Sequence, residues 1–238
     1  LPFHRRVSTK RASELAPGIR ENSGGFTFYD ARALAPERLA LELALEARAM
    51  GAAVFNHTSV TALDCQAGKV VGIAVEAGGA LWRVSTKRVI NAGGPWVDAV
   101  ARLAEPEATA ILGVTRGTHL VLEPEVLPTR AAVLSTARSD GRVFFAIPQG
   151  RLLLVGTTDE RFEREPGSVA PTRHEVDYLL EEAQELFPAA GLGKKQVRYA
   201  YAGLRPLIRG KEGPAAAISR RHDVLDHGER GGPGGLYS

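Results

Sequence analysis

The chain of 238 residues is long enough for one large domain or for two smaller domains with their own cores. Its apolar fraction of 44% and its charged fraction of 24% are typical of globular proteins and exclude a disordered or fibrous chain. The net charge is only +3 and the basic residues are spread along the sequence, which excludes a continuous nucleic-acid-binding stripe.

The cysteine content and the hydropathy pattern indicate the redox environment of the protein and its relation to membranes. Cys65 has no second cysteine with which to form an internal disulfide, which fits a reducing compartment, and we interpret it as a small buried side chain without catalytic chemistry. No apolar run approaches the ~20 residues that a membrane-spanning helix needs. We therefore expect a soluble protein, or one attached to a membrane only at its surface.

The first half of the sequence predicts an α/β unit. Pro36 fits the first position of a helix and Gly51 marks its end, so we predict a helix over residues 36–50. The polar residues Arg38, Glu42 and Glu46 recur at every fourth position among leucine and alanine, which predicts that the helix is mostly buried against a sheet. A short buried strand and a small β-meander follow. These strands are predicted at residues 53–56, 60–63, 70–75 and 81–84, with turns at Ala67-Gly68 and Gly78-Gly79.

A further strand at residues 88–91 leads into Gly93 and Gly94, after which Pro95 begins a helix that ends near Leu103. The order of strand, helix, meander, strand and helix completes the α/β pattern.

After Pro106, strand-length apolar runs alternate with hairpin-length turns, which predicts an antiparallel sheet. The predicted strands cover residues 111–114, 118–122, 131–134, 143–147 and 152–155. Thr172 and Glu175 form a capping-box pattern, and a helix of about four turns that covers the sheet is predicted from there to Pro188. Further strands are predicted at residues 197–202, 215–219 and 223–226.

Two segments suit chemistry by their residue types alone. Arg205, followed by Pro206, presents a fixed cation beside a stiff turn, and guanidinium is a rigid two-pronged donor for phosphate or carboxylate. The segment 91–96 (Asn-Ala-Gly-Gly-Pro-Trp) is a small-residue turn between strand and helix that allows a cofactor to approach the backbone. From the local sequence alone, Arg205 could instead be a surface turn residue. Segment 91–96 could instead be an ordinary strand-to-helix turn.

Several short segments occur along the chain in a fixed order. They are Tyr29-Asp30, the turn 91–96, Arg116-Gly117-Thr118-His119, Asp140-Gly141-Arg142, Gly156-Thr157-Thr158-Asp159, Gly203-Leu204-Arg205-Pro206 and Ser219-Arg220. From about residue 25 to its end, the chain thereby resembles the FAD-dependent glycerol-3-phosphate dehydrogenase family, within the D-amino-acid-oxidase-like flavoproteins. The Gly-Thr-Thr-Asp segment soon after Asp-Gly-Arg separates this family from its amino-acid-oxidising relatives.

The resemblance is incomplete at both ends of the chain. Such flavoproteins begin with a strand, a G-x-G-x-x-G turn and a helix whose N-terminus holds the FAD pyrophosphate, and this sequence has no such unit. The family also continues beyond the position of Ser238 into a glycine-glycine-lysine segment. We therefore expect a partial chain that lacks both flavin-binding ends and does not hold FAD tightly by itself.

The resemblance implies an α/β fold with α+β character, in which part of an FAD-binding domain with a β-meander precedes an antiparallel-sheet substrate domain covered by helices. We expect residues 25–106 to belong to the FAD-binding domain and residues 107–222 to form the substrate domain. Residues 223–238 are expected to return as a strand toward the FAD domain, and residues 1–24 form an N-terminal segment whose placement we do not assign.

The resemblance also implies roles for single residues. His119 is expected to be the base that accepts the substrate hydroxyl proton, with a structural histidine as the alternative. Substrate-binding roles fall to Arg205, Arg220 and Tyr29, although Arg220 could instead form a salt bridge. Cofactor-binding roles fall to Ser59, Val60, Ala92, Gly93, Gly94 and Trp96. The histidine spacing predicts no metal site.

The implied activity is oxidation of sn-glycerol 3-phosphate to dihydroxyacetone phosphate by hydride transfer to flavin N5, with a quinone or oxygen as the electron acceptor. One alternative is an FAD-dependent oxidase or dehydrogenase of a small amino or hydroxy acid, with Arg205 on the carboxylate. Another is a non-catalytic truncated fragment. The expected location is cytoplasmic, with peripheral contact at the inner membrane and assembly into a homo-oligomer left open.

Overall fold

The computed structural model describes residues 3–127, 129–209 and 222–238. The helices are α1 (Thr9–Leu15), α2 (Pro36–Ala49), α3 (Val97–Arg102) and α4 (Arg173–Leu186). The strands are β1 (Arg5–Val7), β2 (Gly25–Thr27), β3 (Thr58–Gln66), β4 (Lys69–Ala77), β5 (Ala80–Ser85), β6 (Val89–Ile90), β7 (Thr115–Leu122), β8 (Val133–Thr136), β9 (Val143–Gln149), β10 (Leu152–Gly156), β11 (Glu160–Arg161), β12 (Val197–Arg205) and β13 (Leu236–Tyr237).

The described residues form two compact units. The first consists of residues 30–111 and 222–238, and the second consists of residues 3–29 and 112–209 without residue 128. Within the described residues, no helix combines the length and the apolar composition needed to cross a bilayer.

The first unit contains the predicted β-meander, an antiparallel sheet in the order β3-β4-β5. Both of its turns have two residues at positive φ: Ala67 at 49° and Gly68 at 71°, then Gly78 at 58° and Gly79 at 79°. Such turns match the twist of the strands that they join, so the turn residues explain why the chain folds back at these two places.

The last strand of the chain pairs with the strand that precedes the glycine turn. β13 lies parallel to β6, with Leu236 opposite Val89. Leu236 is fully buried and packs with Leu63 and Val70 of the meander, so this small core connects the two sheets of the unit. The strand predicted at 88–91 is thus present as β6, and the following helix begins with a 3-10 turn before α3.

Several predictions for the first unit were wrong. Helix α2 forms as predicted, but none of its residues is buried, and Leu39, Leu41, Leu43 and Leu45 are each more than half exposed. Residues 53–56 form no strand and are exposed, and Cys65 is exposed on β3. The apolar residues of α2 and of segment 53–56 are suited to packing against another element. The described residues supply no such element, so these side chains stay exposed.

The second unit is built on one antiparallel sheet in the order β11-β7-β10-β9-β8, with β12 also paired to β7. β12 pairs along the whole of β7, whereas β10 and β11 pair with different halves of it. The predicted antiparallel sheet is therefore observed. Residues 111–114 form only a single bridge, from Leu112 to Ile208. In the first unit, residues 223–226 form one bridge, from Asp226 to Tyr237. The strand predicted at 215–219 lies outside the described residues.

Helix α4 covers one face of this sheet. Its N-terminus has the predicted capping box, in which the Glu175 backbone N–H donates to Thr172 Oγ1 and the Thr172 backbone N–H donates to Glu175 Oε2. The buried core between helix and sheet includes Leu120, Leu122, Phe144, Leu153, Val155, Leu179, Leu180, Ala183 and Leu186. The N-terminal segment joins this unit, because Ala16 is buried in the same core and the Arg20 backbone N–H donates to the Leu186 carbonyl over 2.8 Å.

Candidate active site

The sheet face opposite α4 carries a row of aromatic side chains around His119. Side chains alternate along a strand, so the burial of Leu120 under α4 directs His119 to the other face. Across the strands, Tyr201, His119, Gly156 and Phe145 are aligned partners. The His119 ring stacks on Tyr201 with centroids 5.0 Å apart and lies 5.6 Å from the Phe145 ring.

Gly156 makes the space that the His119 ring occupies. A Cβ at position 156 would lie 2.5 Å from His119 Cδ2, so only glycine fits without moving the imidazole. The small residue in β10 and the rings of Tyr201 and Phe145 together fix the position of the imidazole on the sheet.

The electrostatic surroundings keep His119 neutral. Burial, and then the positive charge of Arg205, lower the pKa of His119 to about 4. Nδ1 is buried and has no hydrogen-bond partner within the part of the chain that the structure describes. A neutral imidazole on this face can accept a proton from a substrate hydroxyl.

Arg205 ends β12, and its guanidinium lies across the neighbouring strand. A side chain at Gly117 would clash with the guanidinium, so the glycine of β7 allows Arg205 to lie over the sheet. Nη1 is 3.2 Å from Asp159 Oδ1, and Nη2 donates to Thr157 Oγ1 over 3.0 Å. Both terminal nitrogens also lie 3.3 Å from the Thr158 carbonyl oxygen. Arg205 is thus a held cation on the sheet face and not a surface turn residue.

A buried ion pair lies close to this cation. Arg116 Nη2 is 3.0 Å from Glu175 Oε2, and Nε donates to Glu175 Oε1 over 3.1 Å, with both side chains almost completely buried. Burial raises the pKa of Glu175, but hydrogen bonds from Thr158 and Thr172 outweigh that effect and hold the pKa below its usual value. The sequence indicated Glu175 only as a helix cap, and its pairing with a strand residue 59 positions earlier was not predicted.

In the first unit, Asn91 organises the glycine turn. Its Nδ2 donates to the Val97 carbonyl over 2.9 Å and to Ser238 Oγ over 3.1 Å, and its Oδ1 accepts from the Gly93 N–H over 3.2 Å. Gly94 has φ of 55°, and a Cβ there would meet nothing within 4 Å. The backbone at Gly94 is therefore uncovered, and a cofactor contact at this turn stays a prediction. The hydrogen bonds of Asn91 were not predicted.

The other predicted site residues are placed as follows. Trp96 follows the turn and is 45% exposed, and Ala92 is exposed within it. Ser59 and Val60 lie on β3, in the meander sheet and not in the β6-β13 sheet beside the turn. Tyr29 follows β2 in the second unit with an exposed ring. Arg220 lies outside the described residues. Among the residues that are described, no cluster of His, Cys, Asp and Glu could hold a metal ion.

Comparison with known families and sequences gives a consistent result. The model of the family described as FAD dependent oxidoreductase matches residues 1–234. The chain is 33% identical over 253 residues to the glycerol-3-phosphate dehydrogenase of Synechocystis sp., an alignment that covers 97% of this chain and 44% of that protein. The chain therefore spans less than half of the length of this curated relative.

Comparison with solved structures agrees with this result. The structure of glycerol-3-phosphate dehydrogenase from Bacillus halodurans complexed with FAD has a TM-score of 0.78 at 33% identity, over 87% of this chain and 42% of that chain. L-alpha-glycerophosphate oxidase from Mycoplasma pneumoniae with FAD bound has a TM-score of 0.66 at 19% identity, over 87% of this chain and 54% of that chain. The second likeness shows the shared fold alone.

Proposed function

Because the chain belongs to the family of FAD-dependent oxidoreductases, we propose that it is a portion of an FAD-dependent glycerol-3-phosphate dehydrogenase. The reaction converts the C2 hydroxyl of sn-glycerol 3-phosphate into the ketone of dihydroxyacetone phosphate, and C2 loses a hydride while its oxygen loses a proton. The relatives from Synechocystis and Bacillus halodurans support this choice of substrate.

The observation that carries the proposal is the pairing of a held cation with a neutral base on one sheet face. Arg205 is close enough to His119 to lower its pKa, and the Arg205 side chain keeps 24% of its surface exposed. We infer that Arg205 binds the substrate phosphate through charge-assisted hydrogen bonds and that His119 accepts the hydroxyl proton. A phosphate anchored by Arg205 would bring the neighbouring hydroxyl carbon near the imidazole.

The cofactor contacts are part of the same proposal. When bound, FAD accepts the hydride at N5. Open backbone at Gly94 supports a cofactor contact at the glycine turn, and we assign this role to Ala92, Gly93, Gly94 and Trp96, with Ser59 and Val60 on the meander. The first unit is accordingly proposed as part of the FAD-binding domain and the second as the substrate domain. Tyr29 and Arg220 are proposed as further substrate contacts.

The later fate of the electrons follows from the proposed class of enzyme. We propose a quinone or oxygen as the acceptor, in a cytoplasmic protein that contacts the inner membrane at its surface. Assembly into a homo-oligomer is compatible with this arrangement.

The substrate assignment is tested by anaerobic reduction of the FAD-loaded protein. We expect sn-glycerol 3-phosphate to bleach the visible absorbance of the flavin, and glycine, D-alanine and lactate to leave it unchanged. Bleaching by the amino or hydroxy acids alone would reject the assignment and support a role of Arg205 on a carboxylate.

A simpler experiment addresses the possibility that the chain is a fragment without activity. The 238-residue chain is mixed with FAD and desalted, and its visible spectrum is recorded before and after addition of sn-glycerol 3-phosphate. Retained flavin that the substrate reduces would show that this length of chain is catalytically competent.

A further inference from the structure

Three consecutive residues outside its own strand contact the guanidinium of Arg205. Thr157 contributes its hydroxyl, Thr158 its carbonyl oxygen and Asp159 a carboxylate oxygen, at 3.0 to 3.3 Å from the two terminal nitrogens of the guanidinium. These residues follow β10, whereas Arg205 ends β12. Asp159 is the charged member of the set, and its side chain is only 11% exposed.

The segment that holds Arg205 is itself anchored in the core. The hydroxyl of Thr158 donates to Glu175 Oε1 over 2.8 Å and accepts from the Thr118 backbone N–H over 2.8 Å. Glu175 is in turn held by Arg116. Thr158 therefore connects the two faces of the sheet, since its side chain bonds to the buried carboxylate while its carbonyl accepts from Arg205.

We propose that Asp159 is a positioning residue that fixes the Arg205 guanidinium for phosphate binding, and that the hydrogen bond from Thr158 to Glu175 anchors Asp159. This inference rests on the proposed anion-binding role of Arg205. An arginine that is already held loses less conformational freedom when the anion binds, so its contact contributes more to affinity. Asp159 acts through Arg205 and does not itself contact the substrate.

The electrostatics also define a competing role for Asp159. A carboxylate near a phosphate site repels the incoming anion and offsets part of the charge of Arg205. If that effect dominated, removal of the carboxylate would tighten phosphate binding. Positioning predicts the opposite sign, so the direction of the change in affinity distinguishes the two roles.

The test is a double-mutant cycle on phosphate affinity in the FAD-loaded protein, with Asp159→Ala and Arg205→Ala alone and together. Binding of inorganic phosphate and of sn-glycerol 3-phosphate is measured by calorimetric titration. We expect Asp159→Ala to weaken binding about tenfold in the parent and less than about twofold when Arg205 is already alanine, because a residue that acts through Arg205 has nothing left to position. The matched control is Asp177→Ala, which removes a carboxylate that pairs with Lys194 in the same unit and should leave phosphate affinity unchanged.

Each outcome of the cycle has a definite meaning. Equal weakening by Asp159→Ala in both backgrounds would show a general structural role and overturn the proposal, as would unchanged or tighter binding in the parent. If Arg205→Ala weakens binding and Asp159→Ala does not, the positioning role alone is wrong. If Arg205→Ala has no effect, the proposed anion site itself fails. Should Asp159→Ala not fold, Asp159→Asn takes its place in the cycle, with a smaller weakening of about threefold expected because the amide still accepts a hydrogen bond.

Discussion

Arg205 and Gly117 illustrate how two residues on neighbouring strands create one chemical feature. Arginine supplies the charge, and the missing side chain at position 117 supplies the space in which that charge lies against the sheet. Neither residue has this role in isolation, because the feature depends on the pairing of β12 with β7.

We predict that Arg205→Ala lowers phosphate affinity by about 1.5 to 3 kcal/mol, as expected for loss of a charge-assisted hydrogen bond, with the flavin content unchanged. Calorimetric titration with sn-glycerol 3-phosphate measures the effect. Arg198→Ala is the matched control, because Arg198 lies on the same strand but is largely exposed and pairs with Glu123. Equal affinities for these two variants would remove Arg205 from the anion site.

His119 makes the stability of the second unit sensitive to acid. Its pKa is about 4 in the folded protein and about 6.5 when unfolded. Between these values the unfolded chain binds more protons, so stability is complete above about pH 6.5 and falls as the pH is lowered toward 4. We predict that His119→Asn reduces this loss, as measured by urea unfolding at several pH values in that window.

The control for this measurement is His4→Asn, since His4 is exposed in the same unit. The control should lose stability with acid as the parent does. If His119→Asn shows the same acid dependence as the parent, the imidazole is not held neutral by its surroundings.

At the scale of elements, α4 is tied to the sheet by the ion pair between Glu175 and Arg116. Glu175→Gln would leave a buried guanidinium without its counter-charge, and we predict a destabilisation of about 3 kcal/mol. Glu185→Gln on the same helix serves as the comparison, because Glu185 forms an exposed pair with Arg138, which typically contributes less than about 1 kcal/mol. If the chemical unfolding curves of the two variants coincide, the buried pair has no structural role of its own.

The success of sequence-based prediction for the elements depended on how local the signal is. The turns at Ala67-Gly68 and Gly78-Gly79 and the capping box of Thr172 and Glu175 are fixed by neighbouring residues, and each was predicted. Burial of α2 was predicted wrongly because it depends on a neighbour that no pattern within the helix specifies. The strand at 53–56 failed for the same reason, since a short apolar run needs a pairing partner to become a strand.

The candidate site shows the same division between local and long-range information. Arg205, His119 and the glycine turn stood out through residue type and resemblance. The contact between Arg205 and Asp159 joins positions 46 apart and depends on strand register, so the sequence marked the Gly-Thr-Thr-Asp segment without indicating what it does. The hydrogen bonds of Asn91 were missed because one of them reaches Ser238, 147 positions away.

For the molecule as a whole, the described residues separate the proposed tasks between two units. The open glycine turn belongs to the first, and the held cation and neutral imidazole belong to the second. The chain spans less than half of the length of the relative from Synechocystis, so we propose to measure activity on the longer FAD-loaded protein of which it is proposed to be a portion. Such a measurement must report on cleavage of the C–H bond at C2 of the substrate, which the proposed oxidation breaks.

The most direct measurement is the rate of flavin reduction, in rapid anaerobic mixing, by sn-glycerol 3-phosphate with hydrogen or with deuterium at C2. We predict that sn-glycerol 3-phosphate reduces the flavin and that deuterium at C2 slows the reduction, because a hydride leaves that carbon. Absence of reduction at saturating substrate, or equal rates for the two forms, would contradict the proposed oxidation at C2.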